Sequence, residues 1–148
     1  MQLSRYFTQE EFEHSNTAVQ KKIDNRMPAI YLNNATRLCK EFLDPLREIL
    51  GKSITITSGY RCDALNKAVG GVSTSAHSYG RAADLVFTGY PLLFVYNTIH
   101  QAVMTGKLPT PDQVIFEKGI WIHLGIADKP RGQFLRTDDG KTYTNFKF

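Results

Sequence analysis

Two histidines and one aspartate stand where side chains of their types can serve one ion: His77 and Asp84 in SAHSYGRAADL, and His123 in IWIHLGI. Two imidazoles and a carboxylate form a donor set of borderline hardness that suits zinc, and three protein ligands leave a fourth position for water, the pattern of a catalytic rather than a closed structural site. Gly80 gives the chain freedom to turn between the first two donors, and Ala82 and Ala83 keep bulk away from the approach. Taken singly, a histidine is more often an ordinary packed or exposed side chain, so the spacing alone leaves both readings open.

The donors must be held by what surrounds them. AADLVF, residues 82–87, has the composition of a short strand, and it follows a polar, glycine-rich loop, GGVSTSAHSYG, that carries His77. QVIFE and IWIHLGI read as two strands of an antiparallel hairpin, the second carrying His123. Upstream, SITITSGY alternates as a half-buried strand ending at Gly59, and residues 62–69 suit a short helical turn. Thr8 and Glu11 form a capping box for a first helix, with Phe7 placed to staple against Phe12. Tyr31, Ala35, Leu38, Phe42, Leu46 and Ile49 recur at helical steps over 29–50, where Pro45 should kink or divide the helix and Gly51 should stop it. PLLFVYNTIHQAV reads as a helix with its proline near the first turn, and the tail from Gln133 suggests a last hairpin around Asp139 and Gly140. Early helices and late strands give an α+β class, an antiparallel sheet with helices packed on one face.

Composition narrows the classes further. At 148 residues, 42% hydrophobic and 22% charged, the chain is expected to form a single domain over 1–148 with a core that needs no disulfide staple. Cys39 and Cys62 are too few for a disulfide framework or a four-cysteine zinc site. No apolar run reaches a membrane-spanning length, and the opening MQLSRYFTQEEFEHS lacks a signal peptide's apolar stretch, so cytoplasmic synthesis without membrane insertion is expected. A net charge of +4 permits affinity for nucleic acid or an anionic cell wall. Its lysines and arginines are scattered and no nucleic-acid motif is present, which argues against nucleic acid.

The stretch SGYRCDALNKAVGGVSTSAHSYGRAADL, followed by QVIFEKGIWIHLG, resembles the M15 zinc peptidases, the D-Ala-D-Ala carboxypeptidases and endolysin-like peptidases of the hedgehog/DD-peptidase fold. The motif S-x-H-x-x-G-x-A-x-D is matched by Ser75, His77, Gly80, Ala82 and Asp84, the later W-x-H by Trp121 and His123, and S-G-Y-R by Ser58 to Arg61. The likeness covers about residues 54–126. It implies that His77, Asp84 and His123 hold Zn2+, that a glutamate shortly before the last histidine is the general base, and that Arg61 stabilises an oxyanion or clamps a substrate carboxylate. It also implies a peptidoglycan stem peptide as substrate, cut as a carboxypeptidase removes D-Ala or as an L-Ala-D-Glu-type endopeptidase cuts. A phage or prophage protein acting on the cell wall, as a monomer, fits that reading.

One branch of the family has its glutamate three residues before the last histidine, where this chain has Ile120; Glu117, six residues ahead, is the nearby carboxylate. A two-residue turn of Lys118 and Gly119 would put Glu117 on the wrong sheet face, because faces alternate strictly along a strand. An odd loop of three or five residues, which pairs 117 with 121 or leaves 117 at the loop edge on the side of His123, is therefore expected. Ser75 suits either a substrate contact or a loop cap, Tyr60, Arg81 and Tyr79 either the cleft lining or an exposed loop, and Trp121 either the cleft floor or the core. His14 and His100 read as ordinary surface or core residues, Asp112 as a turn cap, and Cys39 as helix packing. The competing function is a binding module of the same fold that keeps zinc without the chemistry; the presence of Glu117 and Arg61 argues against it.

Overall fold

The computed structural model describes all 148 residues. Its chain opens with α1 (Gln9–Glu13), where Thr8 and Glu11 make the reciprocal capping box and the flanking Phe7 and Phe12 are both fully buried. A short α2 (Asn16–Lys21), capped by Ser15, was not expected, because one and a half turns leave no periodic trace. Next comes α3 (Ala29–Leu38), continued by a π-helical turn over Cys39–Leu43 into α4 (Asp44–Leu50). Pro45 is the physical reason for the widened turn. It offers no N–H and its ring crowds the preceding carbonyls, so the helix opens one turn earlier, with Asp44 N–H bonded back to Cys39 O, and resumes with proline in its first turn. Gly51 stops the helix at φ 68°, as its position foretold.

Strands β1 (Ile54–Ser58), β2 (Ala82–Phe87), β3 (Gln113–Glu117), β4 (Trp121–Gly125), β5 (Gln133–Thr137) and β6 (Thr144–Asn145) form one six-stranded sheet in the order β1-β2-β4-β3-β5-β6. Helix α5 (Asp63–Ala68) follows β1, and α6 (Leu92–Met104) links β2 to β3. Alternation sorts the strands into two faces. Leu85, Ile122, Leu124 and Val114 point to the side where Leu38, Phe42, Leu43 and Leu46 of the divided helix and Val95, Tyr96 and Ile99 of α6 complete the core. Asp84, His123 and Glu117 belong to the other face, as their cross-strand pairing requires.

The architecture is α+β, as the element pattern implied, but the sheet is mixed rather than wholly antiparallel. Strand β5 lies parallel to β3, with Gln133 opposite Gln113 and Thr137 opposite Glu117. The far edge of β4 is already taken by β2, so the returning chain pairs beyond β3 instead. Its crossing is pinned by Arg131, whose backbone and guanidinium both donate to the Asp112 carboxylate. The Tyr96 hydroxyl, 2.9 Å from both Val114 O and Leu135 O, bridges β3 and β5. Around that ring gather Phe116, Phe134, Phe146 and Phe148, which hold the tail on the sheet. No helix is long and apolar enough to cross a membrane.

Candidate metal centre

Pairing in the sheet brings two of the donors together directly: Asp84 on β2 sits opposite His123 on β4. His77 arrives from a 3-10 turn over Ala76–Tyr79, which Gly80 ends at φ 69°. A side chain at Gly80 would also meet Tyr31 O at 3.0 Å, so both conformation and space require glycine there. One donor atom from each of His77, Asp84 and His123 lies within 4.8 Å of the others, close enough to hold a metal ion. Asp84 Oδ1 stands 3.4 Å from His77 Nε2 and 3.2 Å from His123 Nδ1.

The surroundings prepare these groups as ligands. His77 Nδ1 is 2.7 Å from Gly59 O, an acceptor only, so Nδ1 carries the proton and Nε2 presents its lone pair toward Asp84. Burial of the ring, 2% exposed, pushes its pKa down, and the neutral form is the one that binds metal. Burial opposes ionisation of Asp84, but the neighbouring His77 and His123 overcome it and hold the carboxyl well below the usual carboxylate range. An ionised carboxylate with an imidazole nitrogen on either side makes a donor set that fits a divalent cation. Space is reserved as well: a Cβ at Gly125 would lie 3.3 Å from His123 Nε2. Gly125→Ala should displace that imidazole and lower metal affinity roughly 10-fold or more, with little change in melting temperature; competition against a chelator measures it.

Glu117 reaches the same face by the expected odd loop. Lys118, Gly119 and Ile120 connect the hairpin, Glu117 pairs with Trp121 and Ile115 with His123. Lys118 and Gly119 both have positive φ, a type I′ turn closed by Ile120 N–H donating to Glu117 O at 2.9 Å, and Ile120 is the extra residue that restores the face. Burial pushes the Glu117 pKa up, and the charge of Asp84 adds to the shift.

Strand β1 contributes through an irregularity. Its register slips between Ile56 and Ser58, so Ser58 rather than Thr57 stands opposite Asp84, and the chain turns out of the sheet toward Arg61. Burial lowers the pKa of the Arg61 guanidinium, against the opposing charges of Asp84 and Glu117. Its Nε has no partner and its Nη2 reaches only Ser75 Oγ at 3.4 Å, so most of its donors remain free. Ser75 also accepts from His77 N–H at 3.3 Å, which makes it the cap of the His77 turn as well as a neighbour of Arg61.

The two aromatic residues of the motifs take different places. Tyr60, expected in the cleft lining or an exposed loop, is 6% exposed and belongs to the core cluster, its ring packed near Tyr31. Trp121 lies outside that core cluster, on the face of Glu117 and His123, with its Nε1 buried and unpartnered. Elsewhere, His100 stacks on Phe148, His14 contacts Asn16 at the surface, and Cys39 is buried in the core. Cys62 Sγ accepts from Leu65 N–H as the cap of α5.

Sequence reasoning passed over Asn25. This buried amide donates to Glu13 O and Tyr60 O and accepts from Cys62 N–H, bracketing Arg61 from both sides. Its partners lie 12, 35 and 37 positions away, so no local pattern announces it. Asn25→Ala should destabilise the protein by about 1–3 kcal/mol, the cost of leaving buried backbone groups unpaired. Thermal denaturation measures it.

Asp84 and His123 on the sheet and His77 on the neighbouring turn form a cluster that could hold a metal ion, on the sheet face that also bears Glu117. The chain belongs to the peptidase M15 family, whose family model, described as Peptidase M15, matches residues 5–124. No curated protein matches it.

Proposed function

We propose that the protein is a zinc-dependent peptidase, one catalytic domain over residues 1–148, that hydrolyses peptidoglycan stem peptides. The observation that carries the reading is the convergence of His77, Asp84 and His123 donor atoms within 4.8 Å, on the sheet face that also bears Glu117. His77 Nε2, an Asp84 carboxylate oxygen and His123 Nδ1 would hold the ion. Zinc would supply Lewis acidity, which makes water nucleophilic near neutral pH.

The remaining work falls to side chains. Glu117 takes a proton from the attacking water on its carboxylate and returns it to the leaving amine, a role suited to a carboxyl whose pKa burial has raised toward the working pH. Arg61 offers guanidinium N–H groups that no protein acceptor engages, aimed at the oxygen that gains negative charge or at a substrate carboxylate. Trp121 extends the same face.

The family supports a peptide substrate. The basic surplus suits the anionic wall, and a phage or prophage lysis protein, made in the cytoplasm and acting as a monomer, is the setting we favour. Mass spectrometry of peptidoglycan digests tests the substrate: loss of a terminal D-Ala marks a carboxypeptidase, cleavage between L-Ala and D-Glu an endopeptidase, and intact muropeptides at every zinc concentration contradict the reading.

A further inference from the structure

The family match ends at residue 124, yet the segment beyond it returns to the candidate site. Thr137, the last residue of β5, stands opposite Glu117, and its carbonyl accepts from Lys118 N–H at 2.8 Å. The turn that follows is tightly built. Asp139 accepts from the backbone N–H of Lys141 and Thr142 and from the Thr137 hydroxyl, while Thr137 Oγ1 accepts from Gly140 N–H. Gly140 lies against the Lys118 side chain, where an added Cβ would come within 3.1 Å of Cε. Tyr143 folds back on this turn, its hydroxyl donating to Gly140 O at 3.2 Å, with the ring 45% exposed.

We infer that Tyr143 is a substrate-contacting residue, the wall of the cleft opposite Arg61, supplied by the C-terminal hairpin. Three observations converge on it. The turn carrying Tyr143 is fastened to the turn carrying Glu117 by the contacts above. Burial, then the charges of Glu117, Asp139 and Asp84, raise the pKa of the Tyr143 phenol, in keeping with the place beside Glu117 that the pairing of Thr137 gives its turn. On the adjoining strand, Trp121 Nε1 is buried without a partner. An indole N–H that needs an acceptor and a phenol oxygen whose lone pairs can accept suit the alternating C=O and N–H groups of an extended peptide. Lys118, with its ammonium 5.6 Å from the Trp121 ring centre, adds positive charge at this rim.

The assignment rests on the peptidase reading, and the experiment separates the two. Steady-state hydrolysis of a synthetic stem pentapeptide by the zinc-loaded full chain is compared for wild type, Tyr143→Ala and Tyr143→Phe. Tyr143→Ala should raise KM about tenfold with kcat within about threefold, and Tyr143→Phe should fall between it and wild type, at unchanged zinc content and melting temperature. Asp139→Ala, which loosens the turn while leaving Tyr143 in place, should reproduce part of the KM rise. An active wild type with unchanged KM in Tyr143→Ala overturns the assignment alone. So does a loss confined to kcat, or one that follows zinc content. A wild type without turnover overturns the peptidase reading and the assignment with it.

Discussion

Asp84→Ala should abolish tight zinc binding and lower kcat/KM at least about 10³-fold, because an ion worth several kcal/mol to the transition state is lost. Asp84 is the donor that both imidazoles face, at 3.4 and 3.2 Å, and the only one with a charge to match the cation. His77→Ala should have the same effect on zinc but a larger effect on stability, since it also empties a buried site and removes the bond to Gly59 O. Asp84→Asn keeps the shape and loses the charge, so it should retain the fold while binding zinc far more weakly. Zinc content after dialysis, measured beside peptide hydrolysis, checks all three. Full activity in zinc-free Asp84→Ala would remove the centre from the chemistry.

Glu117→Gln should leave zinc content unchanged and reduce kcat by roughly 10²- to 10⁴-fold, the usual contribution of a general base. The amide occupies the same volume but cannot take the proton. A second consequence follows from the direction of its pKa. Burial, then Asp84, raise the Glu117 carboxyl in the folded metal-free chain above its unfolded value. Such a group favours the fold most when it is protonated, below the unfolded value, and that advantage is lost as pH rises through the folded one. At neutral pH the metal-free Glu117→Gln protein should therefore melt higher than metal-free wild type, and the gap should close as the pH falls below the ordinary glutamate range. A variant with normal kcat would exclude Glu117 as the base; a gap that widened in acid would mean the carboxyl is not held as its surroundings indicate.

Much of this centre was legible because strands repeat every two residues. AADLVF and IWIHLGI become strands with Asp84 and His123 directly opposite, and the odd loop that Glu117 requires in order to share the face of His123 is the three-residue turn Lys118–Ile120. The helix over 29–50 was legible as a stripe, and Pro45 as its interruption, although a π turn rather than a kink resolves the conflict. Features made by distant partners left no such trace. The parallel seat of β5 depends on which sheet edge is free, the bulge in β1 on its register against β2, and the role of Asn25 on carbonyls far along the chain. Tyr60 misleads for a related reason: it sits within a motif whose neighbour Arg61 faces the site, but the backbone turn there sends its ring into the core. Tyr143 was hidden altogether, since only tertiary pairing of Thr137 with Glu117 brings its turn to the site.

The most direct test of the account is digestion of purified peptidoglycan by the full chain before chelation, after exhaustive chelation, and after zinc is restored. The account predicts cleaved stem peptides in the first and third digests and none in the second, with Glu117→Gln yielding little product while it still carries zinc. Stem cleavage that persists in the chelated protein, or its absence from the zinc-loaded one, would contradict it.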